Sequence, residues 1–391
     1  PKGTDLEFIF NTRTGTGSTI YQGANRYYID NFTMSQHKFE VKNDNFFVRG
    51  YITNEDAGDS YDTRFAAINI NRAWKSDTQW FTDYATTFIG ARLGMGTGIQ
   101  FNETAAHALA RAKADQGRPL PGSLGFNETF NRIIQDGNLS TGARFIDQTK
   151  LKHVDANYNL SYLTGDFADI QVGGSFREYR LNSQGTIFTD TDGPIAYKEM
   201  GVYTQIQKKA MDDRMKFTAS MRYDKSEFFD GHITPRIGGL VSLTENQNIR
   251  FSYQTGYRNP SSQDQYIGLD IGSAILMGSS SDNIDRFKME VQGVSSTARY
   301  MLTGKHIMEN SWTLASVQAG APVAAVLTNV EPQYVKSYDL GYRINGKKTA
   351  LDINAYFTEW DNFIAAQTVV TPMYMHPTFG GLAALSQGDF R

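Results

Sequence analysis

The chain has 391 residues with 13% aromatics, 36 Gly and only 10 Pro, a bias toward the Phe and Tyr that suit pleated, half-buried surfaces. With no Cys and a net charge of -3, it can hold neither disulfide frameworks nor thiolate chemistry, and it offers no basic stripe for nucleic acid. Its mean hydropathy is -0.44 and no apolar run nears the ~18 residues of a spanning helix, which leaves strands of about 9–11 residues as a way across a bilayer.

The chain opens at Pro1-Lys2-Gly3 without a signal peptide, as expected of a processed start or of a portion of a longer protein. Period-2 alternation then predicts strands over about 5–12, 31–42, 45–54, 61–73 and 78–90. Gly15-Thr16-Gly17 and Gly94-Met95-Gly96-Thr97-Gly98 lack the following Lys-Ser/Thr of a phosphate-cradling loop and are read as flexible tips or turns.

A long loop is expected over about 91–151. Phe-Asn-Glu-Thr occurs there twice, at 101–104 and 126–129, and each Asn can cap a following helix. Gly117 and Gly137 stand where those helices would end. Thr104–Lys113 is Ala-rich, and Phe130, Ile133 and Ile134 would pack one side of the second helix. A structural role is favoured for this cap.

Alternation resumes at about 152–163, where Val154, Ala156, Tyr158, Leu160 and Tyr162 oppose Asp155, Asn157, Asn159 and Ser161. Strands are predicted over about 167–181, 197–208, 213–225, 233–244 and 248–258. Met215, Phe217, Ala219, Met221 and Tyr223 oppose Arg214, Lys216, Thr218, Ser220 and Arg222 in one of them. After a second long loop, over about 259–332, strands are predicted at about 333–345 and 348–360, joined through Asn345-Gly346. Short connections near 42–45, 164–166, 209–212, 245–247 and 345–347 alternate with long ones, as periplasmic turns alternate with extracellular loops. The expectation is all-β: a transmembrane antiparallel barrel of the bacterial outer membrane with about 13 strands and short helices in one long extracellular loop.

Candidate chemistry is sparse. His37, His107, His153, His232, His306 and His376 are scattered without metal-ligand spacing, and no nucleophile elbow is present, so neither catalysis nor a cofactor is expected. Asp190-Thr191-Asp192-Gly193 resembles the start of a calcium loop but lacks its bidentate Glu, leaving Asp190 and Asp192 as calcium ligands or as part of a solvated turn. Tyr27, Tyr28, Phe46, Phe47, Tyr257, Tyr338, Tyr342 and Trp360 lie near predicted strand ends, where an aromatic girdle at the membrane interface is favoured over ligand stacking. Arg258, Asn259, Gln263, Gln265 and Tyr266 cluster just past a strand exit, as ligand contacts or as the structure of the lip.

Several stretches resemble TonB-dependent outer-membrane receptors, especially the SusC-like branch. They are Ile20–Tyr27, Asn45–Tyr51, Thr234-Pro235-Arg236-Ile237-Gly238, Gly256–Ser261, and Glu331–Tyr342 with Gln333 and Asp339 in place of the usual acidic residue and Glu. The resemblance keeps the family's order over roughly 20–363. It implies a barrel of about 22 strands around a plug, importing a scarce ligand (glycan, peptide, siderophore or similar) with energy from a TonB complex. It also implies a SusD-like surface lipoprotein or other outer-membrane subunits as partners, besides membrane lipid. Neither a plug nor the closing strands are recognised in 1–391, and a partial barrel is expected. An accessory barrel subunit, a passive porin and, in another class, a soluble β-sandwich lectin are the alternatives.

Overall fold

Long runs of alternating polar and apolar side chains give long strands, because each face then meets a single solvent. The computed structural model describes residues 5–23, 26–94, 102–293 and 298–391. Strands β1 (Glu7–Gln22), β2 (Arg26–Lys42), β3 (Phe46–Asp56), β4 (Tyr61–Asp62), β5 (Lys150–Asn159), β6 (Asp169–Leu181), β7 (Ile195–Ala210), β8 (Met215–Ser226), β9 (His232–Thr244) and β10 (Gln247–Arg258) are followed by a long loop. That loop carries β11 (Gly268–Asp270) on β12 (Ile275–Met277), β13 (Lys288–Gln292) on β14 (Arg299–Thr303), and β15 (Trp312–Thr313). Then come β16 (Gln333–Asn345), β17 (Ala350–Asp361) and β18 (Val369–Val370), the last pairing β15. One sheet runs in the order β1-β2-β3-β5-β6-β7-β8-β9-β10-β16-β17, with β4 on β2. Its pairings from β3 to β17 are antiparallel.

The chain divides into two compact units. One comprises residues up to Gly15, Met34–Glu55 and Gln148–Arg391; the other comprises Thr16–Thr33 and Asp56–Asp147. In the first, one face of the sheet is greasy and open. Val154, Phe176 and Met200 are direct cross-strand partners on β5, β6 and β7, and all three are exposed. Phe251 and Leu340 pair likewise across β10 and β16, as do Val202 and Tyr223 across β7 and β8. The opposite parity carries Asp155, Arg177, Glu199 and Arg222. An exposed apolar band outside and a polar face inside is the expected pattern of a barrel wall in lipid.

The connections follow the same logic. At one end of the strands they are brief: 43–45, 160–168, 211–214, 245–246 and 346–349. The longest, 57–149 and 259–332, leave from the other end. The β7–β8 turn holds Met211, Asp212 and Asp213 at φ of 55°, 51° and 65°, a left-handed conformation that L-residues resist. Met211 is exposed and has no packing to lose. Met211→Gly should therefore stabilise the folded barrel by about 0.5–1 kcal/mol after the entropy of the added glycine is counted. The urea midpoint of the folded protein in micelles checks this, and a lowered midpoint would refute it.

The second unit corrects the prediction of strands at about 61–73 and 78–90: both are helical. Helices α1 (Thr63–Trp74), α2 (Asp77–Arg92), α3 (Glu103–Ala114) and α4 (Leu124–Ile133) all lie in this unit. The Asp62 carboxylate accepts from the Arg64 and Phe65 amides and starts α1. Ser76 caps α2 by accepting from the Gln79 amide. Phe65, Ala66 and Ile70 then pack with Ile133 and Ala143, beside Phe126 and Phe130 of α4. The buried positions Phe65, Ala66, Asn69 and Ile70 repeat with a helical period.

Asn102 caps α3 as predicted, accepting from the Ala105 amide, but α4 starts earlier than its Asn. Ser123 is the cap there, and Asn127 lies inside the helix. Gly117 has a φ of 81° just past α3, whereas Gly137 does not have positive φ. Ala106, Ala110 and Ala114 are buried and let α2 approach α3 closely. Trp80 Nε1 donates to Asp115 at 2.9 Å, and Tyr84 meets the His107 ring at 2.6 Å. The Asp83 carboxyl is held below its usual range by hydrogen bonds from Lys75 and Gln79. Gly15 and Gly17 lie within β1 rather than in a loop tip, while Met95–Gly98 fall outside the described residues.

Candidate functional site

The register of four adjacent strands places charged and imidazole side chains side by side on the polar face of the first unit. Arg49 on β3 faces Asp155 on β5; His153 on β5 faces Arg177 on β6; Arg177 faces Glu199 on β7. The contacts follow from that register. Arg49 Nε lies 2.7 Å from Asp155 Oδ1, and His153 Nε2 lies 3.4 Å from the same oxygen. Arg177 Nε donates to His153 Nδ1 at 3.2 Å, which requires a lone pair on that ring nitrogen. Arg177 Nη1 stands 3.9 Å from Glu199 Oε2. On β8, Arg222 pairs with Asp224 and donates to Ser175 Oγ at 3.1 Å.

These groups line a cavity of about 850 Å³, together with Tyr179, Tyr197, Tyr203 and Tyr257. The rings of Tyr179 and Tyr197 stack at 4.7 Å. Two glycines make room for these lining side chains. The Tyr203 ring lies over Gly173, its cross-strand partner, where an added Cβ would meet Tyr203 Oη at 2.6 Å. Gly201 faces Asp224, and an added Cβ there would overlap the ends of Asp224 and Arg222. Past the exit of β10, residues Arg258 to Ser262 form one edge of the cavity. Asn259 Nδ2 donates to Glu199 Oε1 at 2.8 Å, and Tyr197 Oη meets Ser262 Oγ at 2.9 Å.

A polar cavity in a wall whose other face is greasy is what a membrane receptor barrel requires. The family model described as TonB dependent receptor-like, beta-barrel matches residues 3–378. The chain belongs to the TonB-dependent receptors. Members of this family are integral to the outer membrane and are transporters, not enzymes. No curated protein sequence matches. Similar solved structures include the siderophore receptor PirA from Pseudomonas aeruginosa, at 9% identity and a TM-score of 0.48, over 97% of this chain and 46% of that one. A mutant ferric enterobactin receptor, PfeA, from the same species is 11% identical with a TM-score of 0.43, over 91% and 40%. The FrpB iron transporter from Neisseria meningitidis is 9% identical with a TM-score of 0.40, over 90% and 42%. The chain thus spans less than half the length of these receptors.

The structure of this TonB-dependent receptor separates the residues singled out in sequence. Arg258 and Asn259 line the cavity. Gln263 is exposed, on α6 (Ser262–Tyr266 when α5 is the short turn Ser161–Thr164). Gln265 and Tyr266 are wholly buried behind the rim, where Gln265 Nε2 donates to the Pro260 carbonyl at 2.8 Å. Burial pushes the Tyr266 phenol well above its usual range, so it remains neutral. Tyr266, Phe287, Leu269 and Phe188 belong to the buried interior of the loops.

Asp190 is buried, and its carboxylate is occupied by protein donors. It accepts from the Ser183, Gln184 and Gly185 amides and from the Ser183 hydroxyl. Asp192 is exposed two residues on. Among the described residues, no group of three His, Cys, Asp or Glu could hold a metal ion. Asp190 is thus the anchor of the 182–194 loop, a use of carboxylate oxygens that competes with calcium ligation.

The aromatics fall into separate settings. Trp360 and Tyr338 are exposed, Tyr338 within 5.0 Å of Tyr253, centroid to centroid. Phe46 stacks on Tyr158 at 6.3 Å, and the Arg49 guanidinium lies 5.1 Å from the Phe47 ring. Tyr342 donates to Gln247 Oε1 at 3.1 Å. In the second unit, Tyr27 packs on Phe145 and Tyr28 on Tyr61. Tyr257 lines the cavity and contacts the His232 ring. Sequence reasoning missed Arg49, His153, Arg177, Glu199 and Asp224 as a group. Their signal was alternating charge at one parity of consecutive strands, which becomes informative only once the register is known.

Proposed function

We propose that this chain forms wall and extracellular loops of an outer-membrane receptor that imports a ligand too large or too scarce for general porins, with energy supplied through a TonB complex. The observation that carries this reading is the cavity between Arg49 and Ser262: polar, aromatic-lined, and edged by a structured loop. A passive porin has no need of such a rim. The motif order seen in sequence supports the SusC-like branch. On this reading Trp360, Tyr338, Phe46 and Phe47 serve the membrane interface, while Arg258, Asn259 and Tyr257 serve the ligand.

The test is uptake of labelled ferric siderophores, oligosaccharides and peptides by cells that carry or lack the full-length receptor, with and without TonB. Receptor-dependent uptake should vanish when TonB is deleted or the proton-motive force is collapsed. Uptake that survives both, or steady ion conductance of the purified receptor in planar bilayers, would instead make the protein a passive channel.

A second reading adds a partner. Phe81 and Ile89 of α2, and Leu93 at its C-cap, are exposed apolar side chains on a helix that buries none of its residues. They support contact with another outer-membrane subunit, of which a SusD-like surface lipoprotein is one form. Co-purification of such a subunit in stoichiometric amount, lost in a Phe81→Ser, Ile89→Ser variant, would support it.

A further inference from the structure

The charges lining the cavity form a ledger with one entry left open. Arg49 has Asp155, Arg177 has Glu199, and Arg222 has Asp224. Lys225 donates to the Phe229 carbonyl at 2.8 Å and stands 4.0 Å from Asp230. Arg258 is exposed at the rim and has no ion-pair or hydrogen-bond partner for its side chain among the described residues. The wall is therefore balanced against itself, and a single guanidinium remains for a ligand.

A second and independent observation lies one residue further on. Asn259 Oδ1 is buried with no hydrogen-bond partner. Its amide cannot be turned to relieve this, because Glu199 Oε1 needs the Nδ2 donor that it already receives. A buried acceptor left empty is costly, so a donor that reaches it is bound with some force. The cavity thus offers an unpaired donor fork beside an unpaired acceptor, and Tyr179 and Tyr197 are also part of its lining.

We propose that Arg258 and Asn259 together recognise an oxygen-rich organic monoanion, a carboxylate with a hydroxyl close by, of which a hexuronic acid unit is the simplest example. The carboxylate takes the Arg258 fork in two parallel hydrogen bonds. The neighbouring hydroxyl donates to Asn259 Oδ1, and the C–H face of the ring lies on tyrosine. A cationic ligand has no free carboxylate to meet, and a second negative group has no free arginine. This inference rests on the reading of the cavity as a ligand site.

The test uses the full-length receptor in detergent with three probes that share one skeleton: trigalacturonate, its methyl ester and the corresponding amino sugar trimer. Calorimetry should show the acid binding at least about tenfold tighter than the ester, a preference that weakens as salt is raised. Arg258→Gln should bring the acid down to the level of the ester without changing the ester. Arg258→Lys should keep part of the preference, since it keeps the charge but not the fork. The heat-modifiable mobility of the barrel confirms that each variant is folded, which is expected because Arg258 is exposed. Equal binding of acid and ester, tighter binding of the amino sugar, no binding of any probe, or an unchanged preference in Arg258→Gln would each overturn the proposal. Failure of the transport reading would look different: the acid preference would persist in detergent while uptake in cells ignored TonB.

Discussion

Replacing Asp190 by Ala should loosen the 182–194 loop that it anchors, and through it the loop that follows β10, at a cost of about 3–5 kcal/mol. The estimate comes from hydrogen bonds to a charged acceptor, worth about 1.5–3 kcal/mol each and not additive. Three amides and one hydroxyl lose their acceptor at once, all from Ser183, Gln184 and Gly185. The effect should not remain local. The Thr189 amide donates to the Tyr266 carbonyl at 3.0 Å, and the Gly268 amide donates to the Ile187 carbonyl at 2.9 Å. Through these bonds the 182–194 loop holds the start of the 259–332 loop, including the helix that follows Arg258. Limited proteolysis of the folded, full-length receptor should show new cleavage in both loops for Asp190→Ala, less for Asp190→Asn, and none in the sheet. A wild-type pattern for the alanine variant would mean that the loops are held by their apolar interior alone. Added calcium should not protect the wild type, because the carboxylate is already occupied.

How much of this could be read beforehand depended on what each residue signals locally. The strand prediction of about 333–345 coincides with β16, and those of about 248–258 and 213–225 fall within a residue or two of β10 and β8. There, side chains face lipid or polar space alternately, and the sequence must alternate with them. Ile68-Asn69-Ile70-Asn71 also alternates, yet lies in α1. Three or four residues cannot separate the two periods, and the decisive signal was Asp62, an N-cap immediately before the run. The segment Trp80–Phe88 was misread because aromatic and Thr residues favour strands on average. Its Trp80, Tyr84 and Phe88 are spaced by four, the spacing of one helix face. In β1, Gly15 and Gly17 looked like breakers but lie in a strand, where a side chain is not required. Of the site, Arg258 and Asn259 were visible because they follow a strand exit directly. Arg49, Arg177 and Glu199 were not, since their meeting depends on cross-strand register, a property of pairs of strands that no single segment carries.

The same register predicts that two glycines, at neighbouring places on the polar face, respond in opposite ways to a small side chain. A Cβ at Gly201 would overlap only the far ends of Asp224 and Arg222, which can swing away. Gly201→Val should therefore leave the barrel folded, helped by the strand preference of valine, while pushing the Arg222–Asp224 pair into the cavity. Ligand uptake should fall by about tenfold or more, since each displaced charge-assisted hydrogen bond is worth about 1.5–3 kcal/mol. A Cβ at Gly173 meets something less yielding: the Ala156 carbonyl oxygen at 2.7 Å, besides the Tyr203 ring. Gly173→Val should cost folding itself, about 1–3 kcal/mol as for other overpacked sites, and lower the yield of heat-modifiable barrel. The contrast is the informative result. Equal loss of folding in both variants would show that the Arg222–Asp224 pair is a fixed part of the wall, whereas full uptake in Gly201→Val would remove this cavity from the path of the ligand.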